Sequence, residues 1–219
     1  MSKGFKSAVI LLGVAAVTCA AGSPPSQVVY RETTGSRTER FTWKLENRDV
    51  IHLEVTRDNE RYSNRFDSSG ATTRWTYSAP QKHITAHRSN NRIVLQGRIG
   101  DRNIRKKSVI DDAPWYQALS FCLRDFLASS RSEIDFWMIR PDCLETVKMK
   151  AEKVKTEAVM VDGHCFEAWK VKIRLCGPLS IFWHAHYWYR FEDGLFLKYR
   201  GANGPPGTPL TIVELEIAS

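Results

Sequence analysis

Apolar residues recur at every second position through most of this chain. Phe41, Trp43 and Leu45 alternate with Thr42 and Lys44, and Ile51, Leu53 and Val55 alternate with His52 and Glu54. Trp169, Val171, Ile173 and Leu175 alternate with Lys170, Lys172 and Arg174. A period of two marks a strand with one buried and one wetted face. Trp75 with Tyr77, and Ile93 with Leu95 and Ile99, extend the pattern. Asn47-Arg48-Asp49, Asp58-Asn59, Ser68-Ser69-Gly70, Ser89-Asn90-Asn91 and Gly100-Asp101 punctuate it with turn residues, the rhythm of an all-β fold.

The pattern changes once. Asp111-Asp112-Ala113-Pro114 has the residues of a helix start, with an Asp able to cap and a Pro tolerated in the first turn. Trp115, Leu119, Cys122, Phe126 and Leu127 then recur at three- and four-residue intervals. This predicts one amphipathic helix over Pro114–Ala128, ended by Ser129-Ser130, that covers an open sheet edge or barrel mouth. Strands resume over 134–139 and 144–151.

The stretch Lys153–Tyr199 reads as a four-stranded meander. Asp162-Gly163 predicts a two-residue hairpin, in which both central residues need positive φ. That register sets Met160 against Cys165, Thr156 against Trp169, Val154 against Val171, Lys155 against Lys170 and Lys153 against Lys172. A three-residue loop at Gly177-Pro178-Leu179 keeps Trp183, Ala185, Tyr187 and Tyr189 inside and sets Lys172 against His184 and Lys170 against His186. Glu192-Asp193-Gly194 then sets Trp188 against Lys198 and His186 against Arg200. The predicted fold is mainly β: a strongly curved antiparallel sheet, or an incomplete β-barrel, closed by one helix.

Parity places Lys153, Lys155, Lys170, Lys172, Arg174, His184, His186, Arg190, Lys198 and Arg200 on one outer face, with Phe182, Trp188 and Phe196 interleaved. Two readings apply: a solvated face whose long side chains splay apart, or an anion-binding surface. Like charges placed directly across a sheet repel, which makes such a face notable.

At 219 residues the chain fits a single domain with a core of its own. Lys3 and Lys6 followed by the apolar run Ser7–Thr18 form the layout of a secretory signal peptide over residues 1–22, leaving residues 23–219 as one β-rich domain. Ala16-Val17-Thr18-Cys19 also resembles a lipobox, with a signal ending at residue 18 and Cys19 acylated. The formal charge of +8 falls to +6 when Lys3 and Lys6 leave with the leader. The expected location is therefore the periplasm, or an outer-membrane anchor through Cys19. A positive exported protein points to anionic lipid or envelope polymer rather than nucleic acid.

Candidate chemistry is sparse. His184 and His186 project to one face as a metal pair, with His164 or Glu192 as a third ligand, but the surrounding lysines oppose a divalent cation. Glu167 falls on the apolar parity of its strand, where burial would raise its pKa as in acid/base catalysts. His83 and His87 share a face without an acid. No phosphate loop, nucleophile elbow or HExxH motif occurs, and no cofactor is implied. In an oxidising compartment Cys122, Cys143, Cys165 and Cys176 offer up to two disulfides, including a Cys122–Cys165 tie between helix and sheet, or four free thiols.

Val161-Asp-Gly-His-Cys-Phe-Glu-Ala-Trp-Lys-Val, His186-Tyr-Trp-Tyr-Arg-Phe, Leu195-Phe-Leu-Lys-Tyr-Arg-Gly and the last strand Thr211-Ile-Val-Glu-Leu-Glu together resemble a family of exported bacterial proteins known as a domain of unknown function. The likeness covers residues 26–217 in element order. It is similar in outline to the lipoprotein-localisation carriers, whose curved sheet holds acyl chains, and it supplies no catalytic residues. The expectation is a non-enzymatic envelope protein that binds an amphiphilic or anionic component. The alternatives are an envelope scaffold docking through Phe182, Trp188 and Phe196, and a hydrolase or metal enzyme using His184, His186 and Glu167.

Overall fold

The computed structural model describes residues 26–47, 51–177, 183–202 and 208–217. Cys19, the leader and Phe182 lie outside the described residues. Fourteen strands form one antiparallel sheet. The N-terminal meander comprises β1 Gln27–Thr34, β2 Arg37–Asn47, β3 Ile51–Arg57, β4 Glu60–Phe66, β5 Thr72–Ala79, β6 Lys82–Ser89, β7 Arg92–Ile99 and β8 Arg102–Val109. The C-terminal one comprises β9 Glu133–Ile139, β10 Thr146–Val161, β11 His164–Leu175, β12 His184–Arg190, β13 Phe196–Ala202 and β14 Leu210–Glu216. The order is β8-β7-β6-β5-β4-β3-β2-β1-β14-β13-β12-β11-β10-β9, so the two meanders join where β1 pairs with β14.

The sheet curls without closing. Its β9 edge is covered by residues 114–117, which run beside it. Trp137 N–H donates to Pro114 O and Tyr116 N–H donates to Trp137 O, both at 2.8 Å. The β8 edge is left basic, a composition that discourages pairing with another sheet. Lys106 Nζ reaches across the seam to the carbonyls of Cys143 and Leu144 at 3.2 and 3.3 Å.

The predicted helix is broken. Only Leu119–Cys122 (α1) and Arg124–Ala128 (α2) are helical, with Leu123 at ψ −1° between them. The backbone of 114–116 serves β9 instead, and Trp115 O accepts the N–H of Thr72 at 2.7 Å. The five residues of the predicted stripe are all buried regardless. A plug surrounded by sheet buries its side chains in any conformation, so three- and four-residue spacing did not demand a continuous helix.

The concave side is filled. Trp43, Trp75, Trp115, Tyr30, Tyr189 and Phe126 are each at most 1% exposed and pack in two apolar clusters. Their polar tips are satisfied inside: Tyr30 Oη donates to Phe196 O at 3.0 Å and Tyr189 Oη to Leu119 O at 2.9 Å. Arg124 lies over Phe121 at 4.9 Å and Trp43 at 5.8 Å, covered by the β12–β13 turn at Gly194. Among the described residues this side of the sheet is packed with rings, as in a small barrel filled by side chains.

The β10–β11 hairpin forms as the sequence implies, with Asp162 and Gly163 at φ 49° and 79° and Met160 facing Cys165. A bulge at Val154 then shifts the register. Lys153 pairs with Val171, and Glu152, not Lys153, faces Lys172. The extra residue re-aims the side chains on either side of it. Val154 is left 45% exposed while Lys153 turns inward, donating to Ser129 O at 2.6 Å over the rings of Phe126 and Trp169. Burial, aided by Arg131, pushes the Lys153 ammonium pKa down.

Between β11 and β12 parity holds but the pairing slides by one pair: Arg174 faces His184, Lys172 faces His186 and Lys170 faces Trp188. Trp188 faces Lys198 and His186 faces Arg200 as expected. A second irregularity follows at Trp188/Tyr189, and it turns Phe196 into the core against Tyr30.

Candidate anion-binding faces

The C-terminal outer face carries Lys155, Lys170, Lys172, Arg174, His184, His186, Trp188, Lys198 and Arg200, but not Lys153. It is less positive than the list implies, because carboxylates share it. Glu157 lies 2.7 Å from Lys155 and 3.4 Å from Lys170, and accepts from Trp188 Nε1 at 2.8 Å. The Lys155 and Trp188 hydrogen bonds hold the Glu157 carboxyl down at about 2. Lys198 pairs with Glu214 at 2.7 Å. Lys170 also caps the Trp188 ring at 5.2 Å, which buries that indole at 7% exposure. With Phe196 also buried, two of the three aromatics expected in a docking patch are unavailable.

What remains without a counter-ion among the described residues is Lys172, Arg174 and Arg200 around His184 and His186. The two imidazoles lie 5.4 Å apart, edge to face. Partial burial lowers the His186 pKa, and Lys170, His184, Lys172 and Arg200 lower it further. This is a field that repels cations. Among the described residues no three His, Cys, Asp or Glu side chains gather as a metal site.

Glu167 is exposed, not buried, and so is Cys165. Both lie toward the tip of the β10–β11 hairpin with Met160, which is 57% exposed, whereas Val161 and Ala168 on the opposite parity are buried at 1% and 0% exposure. Toward the tip, then, the positions that alternation assigns to the inside are the exposed ones. The Cys122–Cys165 tie is absent: Cys122, Cys143, Cys165 and Cys176 are free thiols. Cys122 is buried beside Thr72, and burial pushes its thiol up to about 12.

The strongest charge asymmetry lies elsewhere. Residues 60–109, spanning β4–β8, hold 11 of the 32 lysines and arginines and only three of the 24 acids, Glu60, Asp67 and Asp101. Arg65, Arg74, Arg92, Arg98, Arg105 and Lys107 are exposed, and none has a side-chain ion pair or hydrogen bond among the described residues. By contrast Arg61 is held by Glu54 at 2.7 Å, and Arg88 by the carbonyls of Ala113 and Asp111 at 2.8 and 3.3 Å.

Pairing sets these residues in transverse rows on the outer face. One row runs Lys107, Val94, His87, Arg74, Arg65 and His52. The next runs Arg105, Gln96, Thr85, Thr76 and Ser63, and a third runs Asn103, Arg98, His83, Ser78 and Arg61. Sequence reasoning missed this face because its cations are scattered over five strands, from the single Arg74 of β5 to the four cations of β8. The signal was present as a local excess of eight positive charges within residues 60–109.

No protein-family model matches the chain, and no curated protein matches it. Among solved structures the chain is similar to a β-barrel-like protein of domain of unknown function DUF1849 from Brucella abortus, with a TM-score of 0.58 at 9% identity over 87% of this chain and 94% of that one. A DUF1329 family protein from Desulfovibrio piger aligns at 10% identity over 87% of this chain and 82% of that one, with a TM-score of 0.29. At this level of identity the first likeness shows the fold alone: a β-barrel-like architecture of the kind seen in bacterial domains of unknown function.

Proposed function

We propose that this is an exported, non-enzymatic protein that binds an anionic component of the cell envelope through the outer face of its sheet. The observation that carries the reading is the concentration of cations on β4–β8, where Arg65, Arg74, Arg92, Arg98, Arg105 and Lys107 have no counter-ion among the described residues. A field of one sign with no internal partner raises the local concentration of anions and speeds their capture. With the inner side packed by rings among the described residues, the reading uses the outer face of the sheet. Lys172, Arg174, His184, His186 and Arg200 form a smaller patch of the same sign on the C-terminal half. Export rests on the pattern of residues 1–22. The geometry favours neither alternative: Trp188 and Phe196 are covered, and Glu167 is exposed and far from the His184–His186 chemistry expected of it.

The test is sedimentation of the purified chain with washed bacterial envelopes at low and at high salt. Arg65→Glu/Arg74→Glu/Lys107→Glu should abolish retention, and salt should weaken the wild-type chain, because exposed charges are screened within about 8–10 Å at physiological ionic strength. Retention of the triple variant at the wild-type level would overturn the proposal.

A further inference from the structure

We propose that the anionic component is a linear acidic polysaccharide laid across strands β4–β8, an inference that rests on the anion-binding reading and specifies its ligand. Between the first and third rows the middle one starts at Arg105 on β8 and is neutral from Gln96 to Ser63, and Thr76, Thr85 and Gln96 in it make no side-chain hydrogen bond among the described residues. Adjacent strands are about 4.8 Å apart and alternate residues on one strand face about 7 Å apart. The neutral strip is therefore flanked at about 7 Å on either side by Arg74 and Arg65 in one row and Arg98 in the other. An acidic sugar chain presents that chemistry: hydroxyls along its spine for the threonines and the amide, and carboxylates at its margins for the guanidinium forks.

The same face argues against the two other polyanions. Membrane-surface binding generally adds apolar side chains that enter the lipid boundary. Here the exposed large apolar residue is Val109 at the end of β8, and Val94 within the row is half-buried. Single-stranded nucleic acid is held by aromatic stacking platforms, and the aromatic residues of β4–β8, including Trp75 and Tyr77, point inward.

The experiment titrates the full chain with oligogalacturonate, with neutral dextran, and with vesicles of equal parts phosphatidylcholine and phosphatidylglycerol. It compares wild type, Thr76→Val/Thr85→Val, which leaves the charge unchanged, and Arg74→Glu. Near-ultraviolet circular dichroism establishes that each variant is folded. Oligogalacturonate should bind and dextran should not. The double threonine variant should weaken binding about tenfold, two neutral hydrogen bonds' worth, and Arg74→Glu should weaken it further. Oligogalacturonate binding that falls with Arg74→Glu but is indifferent to the threonines would overturn the polysaccharide assignment, leaving charge attraction alone. Vesicle binding without oligogalacturonate binding would overturn it while sparing the anion-binding proposal. Binding of neither would remove both.

Discussion

Gln117 stands in for a strand, and removing it should open the fold at one edge. Its side-chain amide meets β9 as a backbone would: Nε2 donates to Ile139 O at 2.8 Å, and Oε1 accepts Ile139 N–H at 2.9 Å. The same oxygen accepts Trp115 Nε1–H at 3.0 Å. Ile139 and Trp115 are both fully buried, at 0% exposure, so these groups have little recourse to water. Gln117→Leu keeps the bulk and removes all three bonds. Each buried polar group left unpaired costs about 1–3 kcal/mol, so the low end of that range gives a loss of about 3 kcal/mol. With a urea dependence of about 2 kcal/mol per molar, the midpoint should fall by about 1.5 M. Gln117→Glu restores the acceptor but not the donor and should fall between the two. Gln96→Leu, exposed on the outer face, is the reference. Equal midpoints for Gln117→Leu and Gln96→Leu would refute the claim that this side chain closes the β9 edge.

Two further outcomes follow from single residues. A Cβ at Gly97 would sit 2.0 Å from His83 O and 2.8 Å from Ile84 Cα on the neighbouring strand, so Gly97→Ala must push two strands apart. It should cost about 3 kcal/mol, lowering the thermal midpoint by roughly 6–12 °C, whereas Gly100, with nothing within 4 Å, should tolerate alanine better. Asp111 is held down at about 2, chiefly by its hydrogen bond to Lys148 and then by Trp137 Nε1 at 2.7 Å. A depressed folded-state pKa contributes stability above the ordinary value near 3.8 that is lost as pH falls toward about 2. Asp111→Asn should therefore flatten the urea midpoint between pH 4 and 2, and an unchanged acid slope would assign the loss to other carboxylates.

Much of the fold was legible because period two is a strong signal and Asp-Gly a specific one. The pairing of Met160 with Cys165 and of Trp188 with Lys198 followed from turn chemistry alone. The failures share a physical cause: a bulge is one extra residue with no compositional mark. At Val154 it turned Lys153 from the outer face to a part-buried position over Phe126 and Trp169, and near Tyr189 it moved Phe196 into the core. The helix was overread because a plug packed on all sides satisfies any spacing of apolar residues. Of the candidate site, the C-terminal cations were legible by parity. Glu157 was within reach of the same hairpin register, whereas neutralisation of Lys198 by Glu214 required a β13–β14 pairing that the sequence left undetermined. The β4–β8 face was hidden in plain composition, since alternation directs attention to the side that is buried.

The β1–β14 pair sets an order on the assembly of the chain. Every other strand pairing joins sequence neighbours, so each meander can grow hairpin by hairpin as it emerges. Val29 and Glu216, which face each other in the middle of the sheet, are separated by nearly the whole described chain. Until β14 arrives, β1 and β13 are open edges, and the cost of closing so long a loop must be met before that contact stabilises anything. The protein thus stays two half-sheets until its last strand is delivered.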